Sequence, residues 1–356
     1  MGALTFRELD ADEGPGLAAW AKLWRAWPSP DVMAHPAYAS LFARGCDRTV
    51  CLVGEGEGGV ILFPLLIRPL AAEPWARQGE QRWDATTPYG YGGPFAWGPA
   101  PPFEAFWGGY RTWCAERQVV TTFARLSLFP EQLAQMPGTV GPIAPNIVVP
   151  LGAGPDALWL GHDSKVRRWV RRAERSGVEI ELDRRGDRLD DFVEVYAHTM
   201  QRTGADPWYR FPRQFFEGIL ARLAGHFVFF HALVGGRVVS SDLVLHAGAH
   251  AYYFLGGTLK ESFSLGPNYL LKHRMACWAD SAGLGALVLG GGHLPSDGLF
   301  HYKRSFARHG EVPFQVATLV HDEPACAELV RDRASHAERG GEPWAPRPKF
   351  FPPYRA

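Results

Sequence analysis

HFVFFHALVGGRVVSSDLVLH, residues 226–246, reads as two strands joined by a glycine turn. β-Branched and aromatic residues fill both arms, and Gly235-Gly236 supplies the backbone freedom of a tight hairpin. A second stretch, TVCLVGEGEGGVILFPLLIRP at 49–69, has the same design. Helical periodicity precedes each: GLAAWAKLWRAW and HPAYASLFARG before the first, LDDFVEVYAHTMQRTG and FPRQFFEGILARLAG before the second. Another aromatic strand and a helix follow. The pattern predicts an α/β (α+β) protein that uses one unit twice, each a mixed, mainly antiparallel sheet flanked by helices. The Pro/Gly-rich join PGTVGPIAPNIVVPLGAGPD (137–156) puts the boundary near residue 150. The expected parts are 1–150, 151–321 and a tail, 322–356. In that tail a short charged helix precedes EPWAPRPKFFPPYRA, expected to lie extended along the surface.

Composition removes several classes. The formal net charge of the 356 residues is zero, so no whole-molecule field draws the protein to DNA or to a membrane. Five cysteines form no CxxC pair, which fits idle thiols in a reducing cytoplasm. The start, MGALTFRELDADEG, carries acid and lacks an apolar signal core, and VILFPLLI is far too short to span a bilayer. A cytoplasmic protein without membrane insertion is expected.

Three motif matches fail on chemistry. GEGEGG (54–59) fits GxGxxG, but a strand follows it and its glutamates would repel a phosphate. SFSLG (262–266) has Ser where the hydrolase elbow needs Gly. His246 and His250 stand four apart in HAGAH, between strand-like runs rather than on a helix, so no metal site is expected.

Other stretches keep two readings open. KVRRWVRRAERSGVEIEL (165–182) puts six basic residues on one helix of about three turns, ending at Gly177. It is either a solvated face or the seat of an anionic partner. TPYGYGGPFAWGP (87–99) is an irregular aromatic loop or, through Tyr89 and Tyr91, a ligand wall. TMQRTGADPWYRFP (199–212) closes the core with Trp208 and Tyr209 or offers them to a ligand, with Arg202 a candidate anion clamp. A helix opening at Gly266-Pro267-Asn268 presents unpaired amides to an anionic group. Beyond Gly290-Gly291-Gly292, SDGLFHYKRSFARHG (296–310) sets Lys303 among Phe300, Tyr302 and Phe306. The chain has thirty-one Arg and six Lys, so a lysine among aromatic rings marks a site.

KVRRWVRRAERSGV, YAHTMQRTGA, LGPNYLLKHRMACWA and GLFHYKRSF, within roughly 160–310, resemble the Fem family of aminoacyl-tRNA-dependent peptidyltransferases and their GNAT-like relatives. The first half resembles the family more loosely, through its hairpin and GYGGP. The resemblance implies two tandem GNAT-like domains, the first on the acceptor side and the second catalytic. It implies an acyltransferase that moves an aminoacyl group from charged tRNA onto an amine of a small molecule or peptide, without a cofactor. Tyr302-Lys303 matches the family's Phe-Lys pair, so Lys303 is expected to hold the donor ester or its oxyanion. Asp242 and Tyr253 are expected to orient or deprotonate the amine, although Asp242 also reads as an ordinary strand residue. Arg167, Arg168, Arg171, Gly266, Asn268, Tyr302 and Phe306 fall to the donor, and Tyr89, Tyr91, Arg202, Trp208 and Tyr209 to the acceptor. The chain departs from the family in having no long charged helical hairpin. It also lacks the Q/R-x-x-G-x-G/A loop of acetyl-CoA enzymes, having SFSLGP there. An acyl-CoA donor is the alternative, and a non-catalytic binding protein on the same scaffold is the second.

Overall fold

The computed structural model describes residues 5–292, 294 and 296–356; residues 1–4, on which part of the N-terminal reading rests, lie outside them. Contacts divide the chain into two compact units, Met1–Trp27, Met33–Ile143 and Phe314–Ala356 in one, Pro28–Val32 and Ala144–Pro313 in the other. This division differs from the expected 1–150, 151–321 and 322–356. The physical reason is an exchange of strands along the chain, described below.

The first unit runs β1 (Thr5–Asp10), α1 (Gly14–Ala26), α2 (Pro36–Ser40), β2 (Arg48–Gly56), β3 (Gly59–Pro69), β4 (Trp83–Thr86), β5 (Phe95–Trp97), α3 (Phe103–Glu116) and β6 (Val119–Arg125). Then come β7 (Thr139–Pro150), α4 (Pro155–Gly161), α5 (Ser164–Arg175), β8 (Glu179–Asp183), α6 (Leu189–Thr203) and α7 (Arg213–Arg222). They are followed by β9 (Phe227–Val234), β10 (Arg237–Ala247), β11 (His250–Thr258), α8 (Pro267–Ser281), β12 (Ala286–Gly290) and α9 (Gly298–Arg304). Finally β13 (Glu311–Val320) returns the chain to the first unit, and α10 (Glu323–Arg339) follows.

The strand order is β1-β2-β3-β4-β6-β13 in the first unit and β8-β9-β10-β11-β12-β7 in the second. β4 and β6 run parallel, as do β11 and β12; the other neighbours within each run are antiparallel. One mixed, mainly antiparallel design is therefore used twice, as the hairpin pattern predicts. In each, the sixth strand comes from the stretch that links or follows the other unit. Both hairpins are tight. Gly235 and Gly236 have φ of 57° and 80°, the turn that matches strand twist, and Gly56 pairs with Gly59 so that GEGEGG closes β2 onto β3.

The central strands are buried almost end to end, with alternate residues such as Val228 and Phe230 entering the same core. In the second unit Val166, Val170 and Ala173 of α5 and Leu270, Leu271 and Met275 of α8 pack on Val228, Phe230, Val244 and Leu287. In the first, Phe106, Trp107 and Tyr110 of α3 pack on Val50, Leu52, Ile61 and Phe63. The tail does not end on the surface. Tyr354 is fully buried with its hydroxyl 2.6 Å from Thr121 Oγ1, and Arg355 donates to Asp84 at 2.5 Å and to Glu73. A buried carboxylate on β4 draws cations, and Arg355 is the second of these beside Arg68; the tail's own composition carries no sign of that demand. No helix among the described residues is long and apolar enough to cross a membrane.

One feature of the second sheet positions the site. β11 pairs with β12 through His250↔Ala286, Ala251↔Leu287 and Tyr252↔Val288, and from there to Thr258 it keeps only its β10 neighbour, which opens its β12 side. Tyr253 is the first residue beyond that pairing.

Candidate active site

α9 is capped by Asp297, whose carboxylate accepts the Phe300 amide at 2.8 Å, and Phe300 enters the core. Lys303, three residues on, shares that face and is only 8% exposed. Its Nζ donates to the Gly291 carbonyl at 2.7 Å, just past the end of β12. α8 starts where Gly266 adopts φ +75°; a Cβ there would lie 2.7 Å from Trp169, so only glycine fits. Lys272 then extends from α8 into the interior, 4% exposed, and its Nζ sits 2.5 Å from Asp242 Oδ2 on β10. Both lysine Nζ atoms face the Tyr253 ring, Lys272 at 3.5 Å from its centroid and Lys303 at 5.6 Å. Tyr302 closes the group, donating its hydroxyl to the Asn268 carbonyl at 3.1 Å and meeting Tyr269 edge-on.

The electrostatics follow from burial. Desolvation pulls the Lys303 amine down to about 7, and the Lys272 charge adds to this against Asp297 and Asp242. Burial also pushes the Asp242 carboxyl up and the Lys272 amine down, each opposed by its partner. Burial raises the Tyr302 hydroxyl well above its ordinary value. A lysine near 7 exchanges a proton readily at neutral pH, and its ammonium form interacts strongly in so poorly hydrated a place.

Lys303, Asp242, Tyr253 and Tyr302 are thus brought together. Lys272 belongs with them and was not singled out from the sequence, although the scarcity of lysine that marks Lys303 applies equally to it. Phe306 is a core residue against His162 and Tyr302. The basic helix divides. Arg167 folds back onto the carbonyls of Trp159, Leu160 and His162, so its guanidinium caps the preceding turn. Arg171 covers Trp159 at 5.2 Å, Arg172 covers Trp169 at 5.1 Å, and Arg168 is exposed. Trp169 in turn stacks on Tyr269 at 5.6 Å. The expected acceptor residues fall in both units. Tyr89, whose carbonyl accepts from Tyr38 at 2.7 Å, and Tyr91, edge-on to Phe314, are in the first. In the second, Arg202 covers Phe263 at 4.9 Å, and Trp208 packs edge-on to Tyr209.

A hydrolase-like trio also appears. Ser241 Oγ lies 2.9 Å from His231 Nδ1, and His231 Nε2 lies 3.6 Å from Asp183. Ser241 and His231 are fully buried, and the Asp183 carboxylate is spent on the amides of Arg185, Gly186 and Arg188. This is a structural network. His246 and His250 go to different partners, Trp278 and Asp31, rather than to one centre.

Residues 162–304 match the family described as acetyltransferase (GNAT) domain. A curated relative, the UDP-N-acetylmuramoylpentapeptide-lysine N(6)-alanyltransferase of Weissella viridescens, is 28% identical over 199 residues. The match covers 52% of this chain and 56% of the relative, so the chain spans little more than half the length of that protein. The crystal structure of FemX superposes with a TM-score of 0.64 at 14% identity, over 88% of this chain and 98% of its own. L-PGS from Bacillus licheniformis superposes at 0.55 and 13%, over 90% and 96%. At these identities the structures show a shared fold. The resemblance to Fem-type and GNAT-like proteins, read from the four stretches above, is borne out.

Proposed function

We propose that this chain is an acyltransferase that moves an aminoacyl group from a charged tRNA to an amine acceptor, forming an amide. The observation that carries the reading is the buried Lys303 amine, held on the Gly291 carbonyl beside Tyr253 and the Lys272–Asp242 pair. An aminoacyl ester already carries the driving force for amide formation, so the protein must position the reactants and stabilise the negative oxygen of the tetrahedral intermediate. The Lys303 ammonium does the latter. Tyr253 orients the amine. Asp242, whose Oδ2 is occupied by Lys272, holds that lysine in place.

The similarity to an enzyme that alanylates the lysine of a cell-wall precursor makes a muramoyl pentapeptide, or a small metabolite with a free amine, the acceptor class. The exposed arginines of α5, led by Arg168, meet donor phosphates. An enzyme drawing on charged tRNA works in the cytoplasm. No cofactor enters this chemistry.

An acyl-CoA donor is the second reading, favoured by the acetyltransferase description of the matching domain. The test is transfer of label to an amine acceptor from charged tRNA and, separately, from acetyl-CoA. Transfer from tRNA that RNase abolishes supports the proposal. Turnover with acetyl-CoA that RNase leaves intact supports the alternative, and no transfer from either donor supports a binding protein.

A further inference from the structure

The cluster in the second unit contains two lysines and one buried carboxylate, and the geometry decides which lysine has it. Lys272 Nζ is 2.5 Å from Asp242 Oδ2 and lies over the Tyr253 ring at 3.5 Å. Lys303 is left with a neutral carbonyl, Gly291 O at 2.7 Å, and a looser position 5.6 Å from the same ring. The titratable and charged groups facing Lys303 are Lys272 from α8, Asp242 from β10, Tyr253 from β11, and Asp297 and its neighbour Tyr302 from its own stretch. Asp297 caps α9. A second ammonium in this enclosure would meet the first beside one phenol ring with no carboxylate in direct contact, Asp297 and Asp242 opposing the repulsion only from a distance.

Building on the acyltransfer reading, we infer that Lys272 is a positioning residue. It takes the Asp242 carboxylate and thereby keeps Lys303 uncharged, so that Lys303 accepts the proton of the incoming ammonium. The steps balance. The acceptor R–NH3+ gives one proton to the Lys303 amine, leaving R–NH2 and a Lys303 ammonium. The amine nitrogen attacks the ester carbon; the C–N bond forms and the carbonyl pair moves onto oxygen, beside the ammonium just formed. On collapse the C–O bond breaks and the ribose oxygen leaves with a proton from the attacking nitrogen. The amide keeps one N–H, and Lys303 returns its proton to solvent. A single side chain thus serves as base and then as oxyanion partner, which Asp242 cannot do while bound to Lys272.

Six lysines make the chain suitable for 13Cε-lysine NMR, with Lys303→Met assigning the resonance. The expected Lys303 midpoint is about 7 in the wild type. In Lys272→Met the freed Asp242 turns to Lys303, and the midpoint rises by a unit or more. Lys272→Arg, which keeps the cation, leaves it near the wild-type value. Asp242→Asn lowers it, and this opposite sign decides the matter if Lys272→Met does not fold. A midpoint unmoved by Lys272→Met, or raised by Asp242→Asn, overturns the inference. These readouts need no donor, so they stand even if neither donor is turned over, which would sink only the acyltransfer reading. Where turnover is measured, kcat/KM is expected to rise with pH through the Lys303 midpoint and to move with it in Lys272→Met. A rate that falls through that midpoint overturns the proton-acceptor role.

Discussion

Each unit buries charge on its central strands, and the two clusters are built differently. In the first, Asp84 on β4 is gripped by Arg68 at 2.7 Å and Arg355 at 2.5 Å, and Arg355 also holds Glu73. Two cations meet two carboxylates, and both cations are guanidiniums that do not deprotonate. In the second, Lys272 takes Asp242 and Lys303 has a neutral carbonyl in its place, with Asp242 and Asp297 acting on it only from a distance. The helices covering the sheets differ in the same sense. α3 buries Phe106, Trp107, Tyr110 and Trp113, whereas α8 places Lys272 among Leu270, Leu271 and Met275. The same strand order thus supports a closed ionic lock in one unit and an open, titratable cluster in the other. A balanced set holds structure together. An unbalanced lysine is costly to bury and is the place to look for chemistry.

The contrast can be broken at the lock first. Asp84→Ala removes the carboxylate that the half-buried Arg68 and Arg355 share and leaves Arg355 with Glu73 alone, so a loss of about 3 kcal/mol is expected, with activity per folded molecule unchanged. Denaturant melts and active-site titration together check this; a loss of activity per folded molecule would mean the first cluster also takes part in the reaction. Next, Lys272→Leu with Asp242→Leu makes the second cluster resemble the apolar interior of the first. Its stability is expected to be unchanged or higher by about 1–4 kcal/mol while transfer falls at least tenfold. Retained activity would show that the pair is only packing.

The sign of the pH dependence follows from Lys303. Its folded value of about 7 lies below the ordinary 10.5, so the folded chain binds fewer protons than the unfolded one between these values. The cost of burying this charge is complete below pH 7 and is relieved as pH rises towards 10.5. Thermal melts of the wild type should therefore gain on those of Lys303→Met across that window, and parallel curves would refute the burial argument. The smallest effect is on the outer face of α5. Arg168→Ala and Arg172→Ala should each weaken tRNA binding a few-fold and reduce the slope of log K against log salt by about 1. Arg167→Ala, whose guanidinium caps a turn, should leave the slope alone.

Much of this was legible in the chain. The two hairpins follow from β-branched and aromatic runs around paired glycines, and those local signals survive into the structure because turn and strand chemistry agree. Lys303 stood out because lysine is rare here. Lys272 was missed because nothing in LGPNYLLKHRM marks which side of the helix its lysine takes, and only the position of β10 shows that it points inward. The exchange of β7 and β13 was invisible too, since partner choice among strands is a long-range matter that composition does not encode. The docking of Tyr354 and Arg355 has the same origin: a tail rich in proline gives no hint of a buried carboxylate 271 residues away in sequence.

The central claim is that one buried amine in the second unit carries acyl transfer. Single-turnover transfer from labelled aminoacyl-tRNA, in wild type and Lys303→Met at matched folded concentration, tests it most directly. The expected result is a rate lower by about 10²–10³ with donor binding retained. Equal rates in the two proteins would contradict it.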